Sequence, residues 1–144
     1  MLVPSPNELF LIRLYIAIFG EIPKDHKFDY YLNKLNNNSI PSMVANEMVL
    51  EKNKELISER DSEKDHLIVM EIYKNIMNRN PSTSALLYWV GFTNSVKEFK
   101  FGTLAISIVN LIISYNGTEI NAKESKDFFM KKQRISKLLL MHLN

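Results

Sequence analysis

A ten-residue string ending in proline occurs twice in this chain at a fixed separation. Leu14-Tyr15-Ile16-Ala17-Ile18-Phe19-Gly20-Glu21-Ile22-Pro23 is echoed by Ile72-Tyr73-Lys74-Asn75-Ile76-Met77-Asn78-Arg79-Asn80-Pro81. Phe28-Asp29-Tyr30-Tyr31-Leu32 is echoed by Leu86-Leu87-Tyr88-Trp89-Val90, and Tyr15 and Tyr73, Pro23 and Pro81, and Tyr30 and Tyr88 all stand 58 positions apart. Two motifs at one spacing, with no gap between them, are the mark of a duplicated unit. Such a unit cannot bury its apolar face alone, so the echo requires two copies that pack on each other. What recurs is aromatic, aliphatic and turn residues. No nucleophile, base or metal-ligand set recurs with them.

Helical periodicity runs through both copies. Pro4 and Pro6 keep the start extended, Asn7 is placed to cap a helix from about Glu8 to Phe19, and Gly20 ends it. This stretch is apolar around nearly its whole circumference, which predicts a central position. A second helix spans about Asp25 to Asn36, and an Asn-rich turn follows. Pro41 opens a third, with Met43, Val44, Met48, Leu56 and Ile57 on its apolar side. In the second copy Ser62 and Asp65 form a start like a capping box, and helix four runs from about Glu63 to Asn78. Ser82 caps a fifth helix to about Thr93, and a sixth covers about Glu98 to Tyr115 before Asn116-Gly117. A seventh occupies about Ile120 to Leu143, and strand signals are weak throughout. The expectation is an all-α protein. Two three-helix units, about 7–60 and 62–117, form one bundle, followed by a basic amphipathic helix over 118–144.

Composition narrows the function classes. Cysteine is absent, which excludes disulfides, thiolate nucleophiles and cysteine-ligated metals. A formal net charge of +2 provides no basic field that would argue for nucleic acid. The most apolar run, Leu104 to Tyr115, is well short of the ~20 residues that cross a bilayer. The amino terminus lacks the basic and apolar regions of a secretory signal, which predicts a cytoplasmic protein or a component of a phage or surface assembly. Residues 118–144 hold six bases (Lys123, Lys126, Lys131, Lys132, Arg134, Lys137) against three acids (Glu119, Glu124, Asp127).

Several residues are candidates for binding. Tyr31 and Trp89 are expected to fill the core with Tyr15, Tyr73, Pro23 and Pro81, while Tyr30 and Tyr88 cover its edge or stay exposed as equivalent patches for a protein or glycan. Arg79 either ties down helix-terminal carbonyls or presents a fork to a carboxylate. Lys131, Lys132 and Arg134 lie on a helix that can dock on its own bundle, on an acidic partner or on an anionic membrane. Asp61, Glu63, Asp65 and His66 crowd one stretch, as His26 does with Asp25 and Asp29. A calcium loop needs a glycine for its sharp turn, and no glycine stands in either stretch. Solvated helix starts are the reading, so no metal and no cofactor is expected. No nucleophile stands beside a base, and no catalytic residue is assigned.

The pattern also resembles a bacterial family of tandem helical repeats known only as a domain of unknown function, and more distantly the helical linker domain of phycobilisomes. That family shows Leu-Tyr, Leu-Gly-Arg, Pro-Asp, then Gly-Leu and Tyr-Trp. Tyr73, Ile76, Arg79, Pro81, Leu86, Tyr88 and Trp89 stand at matching positions in the second copy, and Tyr15, Ile18, Gly20, Pro23, Phe28, Tyr30 and Tyr31 in the first. Lys24 and Ser82 replace the family's Asp, and Glu21 replaces the first Arg. The resemblance implies a helical interaction module and names no ligand. The expected function is a non-enzymatic structural or adaptor protein, joining other proteins or copies of itself in a bacterial surface or virion-type particle. The alternative is a carbohydrate-binding module that uses the repeated aromatics.

Overall fold

In the computed structural model, which describes residues 3–21, 27–58 and 64–143, the first helix opens at Ser5. Ser5 Oγ accepts the Glu8 N–H at 3.1 Å, and the Glu8 carboxylate accepts the Ser5 N–H at 2.9 Å. This reciprocal capping box overrides the expected cap at Asn7, because Pro6 fits the first helical position and pulls the start back. Helix α1 then runs Pro6–Phe19, and Gly20 closes it in the left-handed conformation at φ 68°. The remaining helices are α2 (Lys27–Asn36), α3 (Pro41–Lys52), α4 (Lys54–Ser58), α5 (Asp65–Met77), α6 (Thr83–Ser95), α7 (Lys100–Ile113) and α8 (Ile120–Leu143). Among the described residues there is no strand, and the protein is all-α.

One expected helix limit is corrected. Helix three does not continue through Leu56, because the buried Asn53 side chain donates back to the Val49 carbonyl at 3.0 Å and separates α3 from α4. A side chain that competes for backbone groups commonly breaks a helix this way. Helix α5 follows Lys64 with no side-chain cap, and Asp65 instead pairs with Lys100 of α7 at 2.9 Å. Ser62 lies outside the described residues, as do Pro23, His26, Asp61 and Glu63.

The apolar circumference of α1 places it at the centre, as expected: Leu11, Ile12 and Leu14 to Ile18 are all buried. It packs on α2, α3, α5, α7 and α8. Tyr15 sits at the middle of an aromatic cluster, with ring centroids 5.2 Å from Phe19, 5.8 Å from Phe28 and 6.4 Å from Tyr31. Tyr73, Tyr31 and Trp89 are buried with it, and Pro81 is half-buried at the turn before α6.

Helix α1 packs on α5, which carries the echoed string, and α3 packs on α7. At the second crossing, Gly102 lies so close to α3 that a Cβ there would strike the Ser42 carbonyl and the Asn46 backbone. Asn46 uses the closeness. Its Oδ1 accepts the Phe101 and Gly102 N–H groups at 3.1 and 3.0 Å, capping α7 from α3 because Phe99, at φ 55°, offers no side-chain cap.

Helix α8 lies on α1, α5 and α7. It buries Ser125, Phe129, Gln133, Ser136 and Leu140, a stripe at helical spacing. Of the three docking modes open to a basic amphipathic tail, it takes its own bundle.

Candidate functional site

The tail binds its own bundle through the ends of other helices. A helix C-terminus leaves carbonyls unsatisfied, and α8 supplies donors to three of them. Ser125 Oγ donates to Met77 O at 2.7 Å at the end of α5, and Lys132 Nζ to Gly20 O at 2.8 Å at the end of α1. Lys126 Nζ donates to Tyr115 O at 2.7 Å just past α7. Lys132, a candidate for binding a partner, is therefore committed inside the fold, and it also lies over the Phe128 ring at 5.1 Å. Lys131 and Arg134 point to solvent. Among the described residues Arg79 donates to no helix-terminal carbonyl; it lines a small notch with Asn78, Asn121 and Glu124.

The helix start of α8 has a cap that the sequence reading missed. Glu119 accepts the Asn121 and Ala122 N–H groups at 3.1 and 2.6 Å. The bonds from Ala122 and then Asn121 hold its carboxyl below the usual carboxylate range, with a smaller contribution from Arg79. Glu is an uncommon cap, so composition alone carries little signal here.

Every buried polar side chain among the described residues serves the fold. Asn53 and Thr93 donate to carbonyls one turn back, Ser136 does the same to Lys132, Ser125 ties α8 to α5, and Gln133 accepts from Arg13 Nε at 2.8 Å. Among the described residues no buried side-chain nitrogen or oxygen lacks a partner. Among the described residues no three His, Asp or Glu side chains gather closely enough to hold a metal.

The two echoed aromatics part company. Tyr30 is half-exposed, donates its hydroxyl to Glu47 at 2.7 Å, and carries Lys34 over its ring at 4.9 Å. Burial pushes the Glu47 carboxyl up, but the hydrogen bonds from Lys34 and Tyr30, helped by the charges of Lys34 and Lys27, hold it below its ordinary value. Lys34 is raised in turn, chiefly by its bond to Glu47. Lys27 pairs with Glu51 at 3.0 Å, and Lys27, Tyr30, Tyr31, Glu47 and Glu51 line an open notch of about 450 Å³.

Tyr88 has no such neighbours. It is 64% exposed beside Leu87 at 68%, with its ring edge-on to Trp89 at 4.9 Å. Residues 80–96 and 101–118 hold no Asp, Glu, Lys, Arg or His, so α6 and most of α7 show solvent a side without charge. The same helical spacing brings Gly91 to this side, one turn after Leu87 and Tyr88. A Cβ at Gly91 would meet nothing within 4 Å. A glycine in an exposed helix interior costs about 0.5–1 kcal/mol relative to alanine, and no contact within the chain requires it.

Among the described residues no helix is long and apolar enough to cross a membrane. The chain matches no family model, no curated protein and no solved structure.

Proposed function

We propose that the protein is a non-enzymatic structural or adaptor component that joins proteins through the outward side of α6. The observation that carries this reading is the exposure of Leu87 and Tyr88 together on a helix without a charged residue. A solvated helix ordinarily covers its outer side with charge, and an exposed apolar patch rimmed by polar residues commonly marks an interaction site. Among the described residues, the employment of each buried polar side chain in the fold supports the non-catalytic part of the reading. The setting we propose, a bacterial surface or virion-type particle, follows the family resemblance of the repeats.

Crosslinking with peptide mapping tests the proposal on the full chain in its native particle or extract. Crosslinks that concentrate on α6 and α7 are expected, and Tyr88→Glu should abolish them while leaving the circular dichroism unchanged. An inert chain with no crosslinks at these helices would sink the proposal.

A second reading, carbohydrate binding, draws on the notch at Tyr30. An exposed ring beside Glu47, Glu51 and Lys27 combines a stacking surface with charged hydrogen-bonding groups. On a glycan array this reading requires a signal that Tyr30→Ala removes and Tyr88→Ala keeps. An array without signal would overturn it.

A further inference from the structure

We propose that the protein pairs with a second copy of itself through the outward stripe of α8, antiparallel and about a two-fold axis, on a different helix from the α6 patch. Residues three and four apart share one side of a helix, and two such stripes run along α8. Ser125, Phe129, Gln133, Ser136 and Leu140 are buried against the bundle. Ile120, Glu124, Asp127, Lys131, Arg134 and Leu138 form the opposite side, and all six are exposed, Ile120 at 70% and Leu138 at 55%. Their alternating steps of four and three residues are the pattern by which two helices keep a common seam. Along its length of about 27 Å the stripe changes character: apolar at each end, acidic in its first half and basic in its second. Among the described residues, Glu124, Asp127, Lys131 and Arg134 take part in no ion pair, so the chain itself leaves these charges unmatched.

The order of these side chains selects the second copy. Ile120 and Leu138, Glu124 and Arg134, and Asp127 and Lys131 each stand symmetrically about position 129. A two-fold axis beside that position turns the stripe end for end, so each residue faces the other member of its pair on the second copy. Glu124 then meets Arg134, Asp127 meets Lys131, and Ile120 closes on Leu138, each pair formed twice. A parallel arrangement would set every charge against its like. An acidic peptide or an anionic membrane would match only the basic half and be repelled by Glu124 and Asp127, whereas the same stripe reversed matches both halves. Antiparallel pairing also opposes the two helix dipoles. Ile135 and Leu139, both exposed, flank the seam. Lys123 and Lys137, the like charges brought near each other in this register, lie off the seam, where solvent and salt screen them. The buried stripe faces the other way, so the contacts of α8 with α1, α5 and α7 are kept.

Sedimentation of the purified full chain, from low micromolar to several hundred micromolar and at low and high ionic strength, tests the proposal. The expected result is a monomer–dimer equilibrium that weakens as salt is added. Glu124→Arg and Arg134→Glu should each weaken it at least ~10-fold, because each turns two symmetry-related attractions into repulsions. Combined in one chain, the two substitutions restore opposite charges across the seam, and association should return to within ~3-fold of the unmodified protein. Both positions are exposed, so all three variants should keep the helical circular dichroism. Tyr88→Glu should leave the equilibrium unchanged. A monomer at the highest concentration would overturn the dimer, as would single reversals that leave it intact or a combined variant as weak as either alone. A dimer lost in Tyr88→Glu would place the contact on α6 instead. Binding to phosphatidylserine vesicles by a chain that stays monomeric when pure would assign the basic half to a lipid surface and refute self-pairing.

Discussion

Asn75 donates its side-chain amide to the carbonyl of Ala17 at 3.0 Å, and the two residues are 58 positions apart. On the reading of the chain as two echoed units, a residue of one unit meets its own counterpart in the other. The bond is useful because Ala17 and Ile18 lie in the last turn of α1, where carbonyls have no partner within the helix. It also fills the space beside Gly20, where a Cβ would come within 2.7 Å of Asn75 Oδ1. Both helices of this pair end in the left-handed conformation at echoed positions, Gly20 at φ 68° and Asn78 at φ 58°.

Asn75→Ala should lower stability by about 1–2 kcal/mol, the usual loss when a partly buried hydrogen bond leaves one partner unsatisfied. Urea denaturation followed by circular dichroism measures it. A midpoint shift within error of zero would show that water replaces the amide without cost.

Asn46→Ala should cost on the order of 1–2 kcal/mol, because it removes the acceptor that caps α7 from α3. Asn46→Asp should cost much less. It keeps an oxygen for the Phe101 and Gly102 amides and adds a charge that suits the helix N-terminus. Equal losses in the two variants would rule out capping as the role of this side chain.

Gly102→Ala and Gly91→Ala should move stability in opposite directions. The first drives a methyl into the α3 backbone and should destabilise by about 1–3 kcal/mol. The second meets open space and should stabilise the chain by about 0.5–1 kcal/mol through helix propensity. Thermal melts at low protein concentration give the sign of each.

Phe129→Ala should cost about 3–5 kcal/mol, since the ring is fully buried where α8 meets the bundle. Deleting residues from Ile120 onward should unfold the remainder, because Ser125, Lys126 and Lys132 leave with it and three helix ends lose their donors. A truncated chain that melts cooperatively near the temperature of the full chain would contradict this account.

Acid should loosen the start of α8. The folded carboxyl of Glu119 is held below its ordinary value of 4.5 by its bonds to Ala122 and Asn121. A depressed carboxylate contributes stability that is present above the unfolded value and is lost as pH falls through the folded one. The amide signals of Asn121 and Ala122 should therefore shift together as pH falls below about 4.5, with faster exchange. Glu119→Gln should show no such titration. Shifts unchanged by that substitution would assign the event to another group.

Much of the fold is written in local pattern. Gly20, Pro41 and Ser82 mark helix limits by conformations and caps that act within a few residues, so the ends at Phe19, the start at Pro41 and the cap of α6 are readable in the chain. The span of α8 and the central place of α1 follow from apolar periodicity in the same way. The echo itself announces which helices should correspond, but it does not say which face each turns to its neighbour.

The site was less legible. Tyr30 and Tyr88 look equivalent in the echo, yet Glu47 and Lys34 reach only the first, because α3 brings a carboxylate to α2 and α7 brings none to α6. Lys132 reads as a surface base until the fold sets it on the Gly20 carbonyl, 112 positions earlier. Asn46 gives no local hint that it caps a helix 55 residues on. The charge-free runs flanking Lys97 were visible in the letters, but their meaning required knowing that Leu87, Tyr88 and Gly91 face water together. Periodicity, capping and turn chemistry act over one or two helical turns, so the chain by itself determined where helices begin, end and carry apolar sides. Contacts between residues far apart depend on how those sides pack against one another, and only the tertiary structure decided which donors, acceptors and surfaces were used up and which were left over.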